Sequence, residues 1–110
     1  MAYDEILGDR IRARLDTTEG VTEKRMFGGL AFLIGGNLAV VASSKGGLMV
    51  RVPPEETEAL LEEPGAAPFA MRGKELRGWL RVDADAIDDE PSLARWVDRG
   101  ANHAGSLPAK

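Results

Sequence analysis

The chain has 110 residues, of which 44% are hydrophobic and 29% are charged, with no cysteine and a formal net charge of −4. This length and composition are typical of a single soluble globular domain, residues 1–110, and the absence of cysteine excludes disulfides, thiolate metal ligands and cysteine nucleophiles. No apolar stretch is long enough to span a membrane, and the negative net charge argues against strong binding to nucleic acid, which needs many phosphate contacts from lysine and arginine.

The N-terminal segment is predicted to form an amphipathic helix. Its first residues are acidic and include no apolar stretch of the kind found in secretory signals, so we expect a cytoplasmic protein. Apolar residues recur every four positions, and one more is expected to widen the stripe: Tyr3, Leu7, Ile11 and Leu15, with Ile6 beside them. Residues 17–20 are expected to end this helix.

Three strands are predicted next. The first runs from Met26 to Ile34, with Gly28-Gly29 inside it as a bulge or sharp bend. Gly35-Gly36 is a two-residue hairpin signal, because the turns that connect antiparallel strands need positive φ. The second and third strands are predicted at Leu38 to Ala42 and at Leu48 to Val52.

A short helix, a second hairpin and a final helix complete the chain. Pro53-Pro54 is expected to begin the short helix and Pro64-Gly65 to end it. The hairpin pairs Ala67 to Met71 with Leu76 to Val82 across a turn at residues 72–74. An acidic start with proline in its first turn, Asp88 to Ser92, predicts the last helix.

These elements predict an α+β fold. Their order is α-β-β-β-α-β-β-α, which favours two layers, with the helices on one side of an antiparallel sheet. The apolar face of the last helix is narrow and becomes small toward its end, so this helix is expected to approach the sheet closely. That face consists of Leu93, Trp96, Val97, Gly100, Ala101 and Ala104.

Several segments of the chain resemble the N-terminal domain of the TfoX/Sxy family, which are bacterial regulators of competence. The most specific segment is Arg25-Met26-Phe27-Gly28-Gly29. The hairpin glycines before Asn37, the apolar strand that follows them and the segment 48–52 are also similar to the family. The segments 71–73 and 77–82 resemble a short, single-domain branch of it.

This resemblance implies a secretion-chaperone-like α+β fold. The longer family members act as transcriptional co-regulators with a cyclic-AMP-dependent activator, and they carry a second, C-terminal helical domain that is not found before Lys110. The family supplies no catalytic residues to carry over. The resemblance therefore implies a regulatory domain whose motif, Arg25 to Gly29, is structural.

Motifs that would carry chemistry are interpreted as structural. The glycine pairs lack the spacing of a phosphate-binding loop or a dinucleotide fingerprint, and Ser43-Ser44-Lys45 is expected to form a turn. His103, the only histidine, is predicted to be solvated on the surface. The acidic cluster between Asp83 and Glu90 lacks the glycine and glutamate of a calcium loop, with a weak cation site as the alternative. We expect no catalytic residues, no metal and no cofactor.

The sharpest candidate for a functional surface is the predicted strand that carries Trp79. Alternation places Arg77, Trp79 and Arg81 on one strand face, away from Leu80 and Val82. Tryptophan and arginine are enriched at binding hot spots. The alternative is that arginine stems cover Trp79, or that it packs inward after a bulge.

The sequence therefore predicts a small, non-enzymatic interaction domain. The predicted surface comprises Arg51, Arg77, Trp79 and Arg81. The domain would bind a protein partner through this basic, aromatic face or through a free sheet edge. The partner would be a protein such as a transcription regulator, or a second copy of the chain. Two alternatives remain open: direct nucleic-acid binding by the basic strands, which is less favoured, and a small-molecule enzyme, which would need a concave pocket with perturbed acids or bases.

Overall fold

A computed structural model describes residues 5–26, 28–44, 46–71 and 73–109. The helices are α1 (Glu5–Arg14), α2 (Thr57–Leu60) and α3 (Glu90–Ser106). The strands are β1 (Val21–Met26), β2 (Gly29–Ile34), β3 (Asn37–Ser43), β4 (Leu48–Arg51), β5 (Ala66–Met71) and β6 (Lys74–Val82). Short 3₁₀ helices at Pro54–Glu56 and Ala84–Ile87 precede α2 and α3. All strand pairs are antiparallel, in the order β1-β2-β3-β4-β6-β5.

The α+β class, the antiparallel sheet and the positions of the three helices among the strands are confirmed. The sheet has one strand more than the sequence predicted, since Val21–Met26 pairs with β2 as the separate strand β1. Gly28-Gly29 is therefore not a bulge inside a strand. Gly28 lies in the connection between β1 and β2 with φ of 71°. A side chain at Gly29 would collide with the carbonyl of Ala42 on β3.

The main core lies between the helices and one face of the sheet. All three helices contribute to it, through Leu7 and Ile11 of α1, Leu60 of α2, and Leu93, Trp96 and Val97 of α3. Trp96 is 1% exposed and Phe32 of β2 is fully buried. Each such large apolar side chain contributes about 1.5–3 kcal/mol by leaving water. This packing confirms that the helices share one side of the sheet.

The predicted apolar stripe of α1 is correct at the residues described and wrong at its margin. Leu7, Ile11 and Leu15 are buried, whereas Ile6 is 74% exposed and does not widen the stripe. Tyr3 lies outside the described residues. No helix in the described part of the chain is long and apolar enough to cross a membrane.

Helix α3 begins and packs as its sequence predicts. The side chain of Asp89 caps the helix by accepting a hydrogen bond from the Ser92 backbone N–H at 3.0 Å, and this bond lowers the pKa of Asp89. Farther along, Gly100 brings the helix against β3. A Cβ at Gly100 would lie 2.5 Å from the carbonyl oxygen of Ala39 and 2.8 Å from Val40 Cγ1.

Ion pairs fasten α1 to its neighbours. Arg12 contacts both carboxylate oxygens of Glu23 on β1, at 2.6 and 2.7 Å. Arg14 contacts both oxygens of Asp98 on α3, at 3.0 and 2.6 Å. The bidentate bond from Arg12 lowers the pKa of Glu23 below its usual value of 4.5.

We predict that Gly100→Ala lowers the free energy of unfolding by about 1–3 kcal/mol, because the new methyl group overpacks the contact with β3. Gly105→Ala is the matched control on the same helix, since a Cβ there meets nothing within 4 Å. That change should leave stability unchanged or raise it by up to about 1 kcal/mol through helix propensity. Urea unfolding measures both effects, and equal stability of the two variants would contradict the close contact at Gly100.

We predict that Glu23→Gln lowers stability by less than about 1 kcal/mol at neutral pH, because the pair with Arg12 is partly exposed. The pKa of Glu23 is lower in the folded protein than in the unfolded chain, where it is 4.5. The charge of Glu23 therefore stabilises the fold above pH 4.5, and this stabilisation is lost as the pH falls through the folded-state pKa. The difference between wild type and variant should therefore shrink in acid. Thermal unfolding as a function of pH measures it, and a difference that stays constant down to strongly acidic pH would refute the assignment.

Candidate interaction surface

The sheet face turned away from the helices, called the open face below, carries a continuous row of side chains. Directly opposed residues of antiparallel strands project to the same face, so the register identifies the members of each row. One row crosses all six strands, in the order Lys24, Ala31, Val41, Met49, Arg81 and Ala67. A second row pairs Arg51 with Trp79. Neither row contains an acidic residue.

The centre of the open face is a second, smaller apolar cluster. Ala31, Val41 and Met49 are 0%, 1% and 6% exposed although they face away from the helices. Half-buried apolar residues pack over them and form the outer layer, namely Met26, Leu33, Phe69 and Trp79. The open face therefore presents half-buried apolar side chains that pack on a layer of buried ones.

Trp79 lies on the open face and not among the helices. Its ring centroid is 6.3 Å from that of Phe69, and the guanidinium carbon of Arg51 is 5.6 Å from its centroid. Phe69 reaches this position at an irregularity of β5, where the register shifts between Pro68 and Ala70. The structure thus combines two aromatic rings and a cation in one patch.

The arginines on the two sides of the sheet differ in their partners. On the helix side each of four arginines forms an ion pair with a carboxylate: Arg10 with Glu90, Arg12 with Glu23, Arg14 with Asp98, and Arg99 with Glu63. On the open face, Arg51 contacts the Trp79 ring, and Arg81 forms no ion pair with any residue that the structure describes. The positive charge of Arg81 is therefore available to an external acid.

Arg77 lies apart from the patch. Pro68 pairs with Leu80 but Ala70 pairs with Glu75, so β6 contains extra residues at this point and the regular alternation is interrupted. Gly78, within this irregular segment, has φ of 86° and donates its N–H to Thr57 Oγ1 at 2.9 Å. The Arg77 guanidinium donates to the carbonyl of Pro54 at 3.2 Å. The structure brings Arg51 and Trp79 together, with Arg81 farther along β6, and ties Arg77 to the 3₁₀ helix.

The two edge strands of the sheet, β1 and β5, are poorly suited to pairing with a further strand. Lys24 and Arg25 are exposed on β1, and Pro68 within β5 has no N–H to donate to a further strand. Charged residues and proline on edge strands oppose the addition of further strands. The open face is the better candidate surface.

A concave region lies at one end of the open face, beside the turn between β3 and β4. Its volume is about 300 Å³, and its lining includes Met49, Phe69, Arg81 and Asp83. Sequence patterns along single strands do not predict this site, because it depends on β5 and β6 lying beside β3 and β4. A lone phenylalanine among the small residues of β5 is the one signal that pointed to it.

His103 and the acidic cluster between Asp83 and Glu90 lie where contacts within the fold account for them. His103 is half-buried beside the 3₁₀ helix at Pro54–Glu56, so it is less exposed than the sequence predicted. Burial lowers the pKa of His103, the charge of Arg51 acts in the same direction, and Glu55 and Glu56 oppose both. The predicted acidic cluster contains Asp89, the cap of α3. Within the described residues, no group of three or more histidine or acidic side chains could hold a metal ion.

The family motif lies where β1 turns into β2. Met26 packs into the apolar cluster of the open face, and Gly29 permits the close approach of β2 to β3. Phe27, like Lys45 and Arg72 of the predicted turns, lies outside the described residues.

Comparison with known proteins identifies the family. The TfoX N-terminal domain matches residues 13–104, a range that includes all six strands and most of α3. A search of curated proteins found no match. The match covers most of the chain and contains the Arg25 to Gly29 motif, so the chain belongs to the TfoX N-terminal domain family.

Proposed function

We propose that this chain is a cytoplasmic, non-enzymatic regulatory domain that binds a protein partner through its open face. The main observation in favour is the patch formed by Trp79, Phe69 and Arg51. Interface hot spots are enriched in tryptophan and arginine at the centre of an apolar surface. Membership of the TfoX N-terminal family supports the regulatory part of the proposal.

The charges of the open face indicate the chemistry of the partner. Lys24 stands at one end of the apolar row, with Arg81 toward the other end and Arg51 beside Trp79. A complementary surface would present acidic groups around an apolar centre. A second copy docked face to face would bring like charges together, so the pattern favours a different protein, such as an acidic region of a transcription regulator.

We predict that Trp79→Ala reduces partner capture at least about tenfold, because truncation of a hot-spot tryptophan commonly costs 2 kcal/mol or more of binding free energy. Arg81→Ala should weaken capture as well. The matched control is Arg95→Ala, which removes an equal charge from the exposed surface of α3. The assay uses the wild-type chain and each of the three variants as bait in a cytoplasmic extract. Captured proteins are measured by quantitative mass spectrometry, and thermal unfolding verifies that each bait is folded.

The pattern across the baits decides the outcome. Support requires one captured protein that is lost with Trp79→Ala, weakened with Arg81→Ala and retained with Arg95→Ala. Equal capture by all four baits, or loss with Arg95→Ala alone, would contradict the use of the open face.

Direct nucleic-acid binding is the second candidate, because aromatic rings beside arginine can stack on unpaired bases. It predicts binding of single-stranded DNA by the purified chain, falling steeply with added salt and lost with Trp79→Ala. Tight, salt-dependent binding of this kind would replace the protein partner as the function of the patch. Fluorescence anisotropy with a labelled oligonucleotide measures it, and we expect no binding at physiological salt, given the net charge of −4.

A further inference from the structure

The concave region at the end of the open face has charged side chains at its surface and apolar side chains beneath them. Val41 and Met49 form a buried apolar floor, and Phe69 adds an aromatic side. Among the described lining residues, two carry a charge: Arg81 and Asp83. The pocket thus combines one positive group, one negative group and an apolar surface.

The two charged residues are close in sequence but do not neutralise each other. Arg81 lies near the end of β6 and Asp83 directly follows that strand, and both are exposed. Neither forms an ion pair with the other or with any further residue in the described ranges. A ligand with a carboxylate and an ammonium group would give each of them a partner through charge-assisted hydrogen bonds.

The size of the pocket limits the ligand. A volume of about 300 Å³ holds on the order of ten water-sized atoms, since one water occupies about 30 Å³ of the liquid. An amino acid with a branched aliphatic side chain has about this size. Its hydrocarbon part would lie against the half-buried ring of Phe69, above the buried floor formed by Val41 and Met49, and would remove the remaining apolar surface of that ring from water.

We propose that this pocket binds a free apolar α-amino acid of about the size of leucine. Arg81 binds the carboxylate, Asp83 binds the ammonium group, and Val41, Met49 and Phe69 contact the side chain. The proposal does not require the protein partner, because the residues that carry it all belong to this chain.

Simpler ligands fit the charges less well. A monocarboxylate would be attracted by Arg81 but repelled by Asp83. A monoamine would be attracted by Asp83 but repelled by Arg81. L-Leucine, isocaproate and isoamylamine share a similar hydrocarbon group and differ in these charges. They are therefore matched probes of the pocket.

The test is a titration of the full chain with each probe, followed by amide chemical shifts in nuclear magnetic resonance spectra. L-Leucine should shift the signals of β4, β6 and the turn between β3 and β4. Isocaproate and isoamylamine should each bind at least about tenfold more weakly, because each lacks one charge-assisted contact. An absence of leucine-dependent shifts at high millimolar concentration would overturn the proposal, as would isocaproate binding as tightly as leucine.

Two variants separate the charges. Asp83→Asn should weaken leucine binding about tenfold and strengthen isocaproate binding, while Arg81→Gln should weaken leucine binding and strengthen isoamylamine binding. Asp85→Asn and Arg95→Gln are controls that remove the same charges from exposed residues outside the pocket lining, and they should leave leucine binding unchanged. Tighter leucine binding by Asp83→Asn would contradict the zwitterion and assign the pocket to a simple acid.

The result for leucine binding can be distinguished from the result for partner capture by the open face. Asp83→Asn removes a negative charge beside the open face, so it should not weaken capture of an acidic protein. Loss of leucine binding with unchanged partner capture would therefore confirm the pocket independently.

Discussion

The close packing of α3 against the sheet determines which sheet face is covered and which is left open. Trp96 fills the space between helix and sheet, and Gly100 lets the backbone of α3 approach Ala39 directly. Since α1 and α2 contribute to the same core, the helices occupy one side of the sheet. The same arrangement leaves the opposite face to a thin apolar cluster with basic residues around it, which is the surface proposed to bind a partner.

Sequence periodicity predicted the elements whose burial is regular. The face and cap of α3 followed from spacing and from Asp89, and alternation along β6 separated Leu80 and Val82 from Trp79. Strand β1 was missed because most of its side chains are exposed and charged, so it shows no apolar pattern. Ile6 was misplaced because periodicity gives the direction of a helix face but not the width that its neighbours cover.

The candidate site was predictable where it depends on one strand and not where it depends on several. Neighbouring side chains of a strand point to opposite faces, so the burial of Leu80 on the helix side correctly predicted that Trp79 lies on the open face. The interruption at Gly78, which directs Arg77 to the 3₁₀ helix, arises from a shifted register with β5 that local sequence does not encode. The contact of Phe69 with Trp79 likewise requires strand pairing.

The two tryptophans of the chain can show directly whether the open face is the binding surface. Trp79 lies on the open face, whereas Trp96 is 1% exposed in the helix-side core. The measurement is a titration of the chain with its captured partner, followed through the two indole N–H resonances and assigned with Trp79→Phe. If the open face binds the partner, the Trp79 signal shifts or broadens while the Trp96 signal stays in place. Binding that moves the Trp96 signal alone, or neither signal, would contradict the use of the open face.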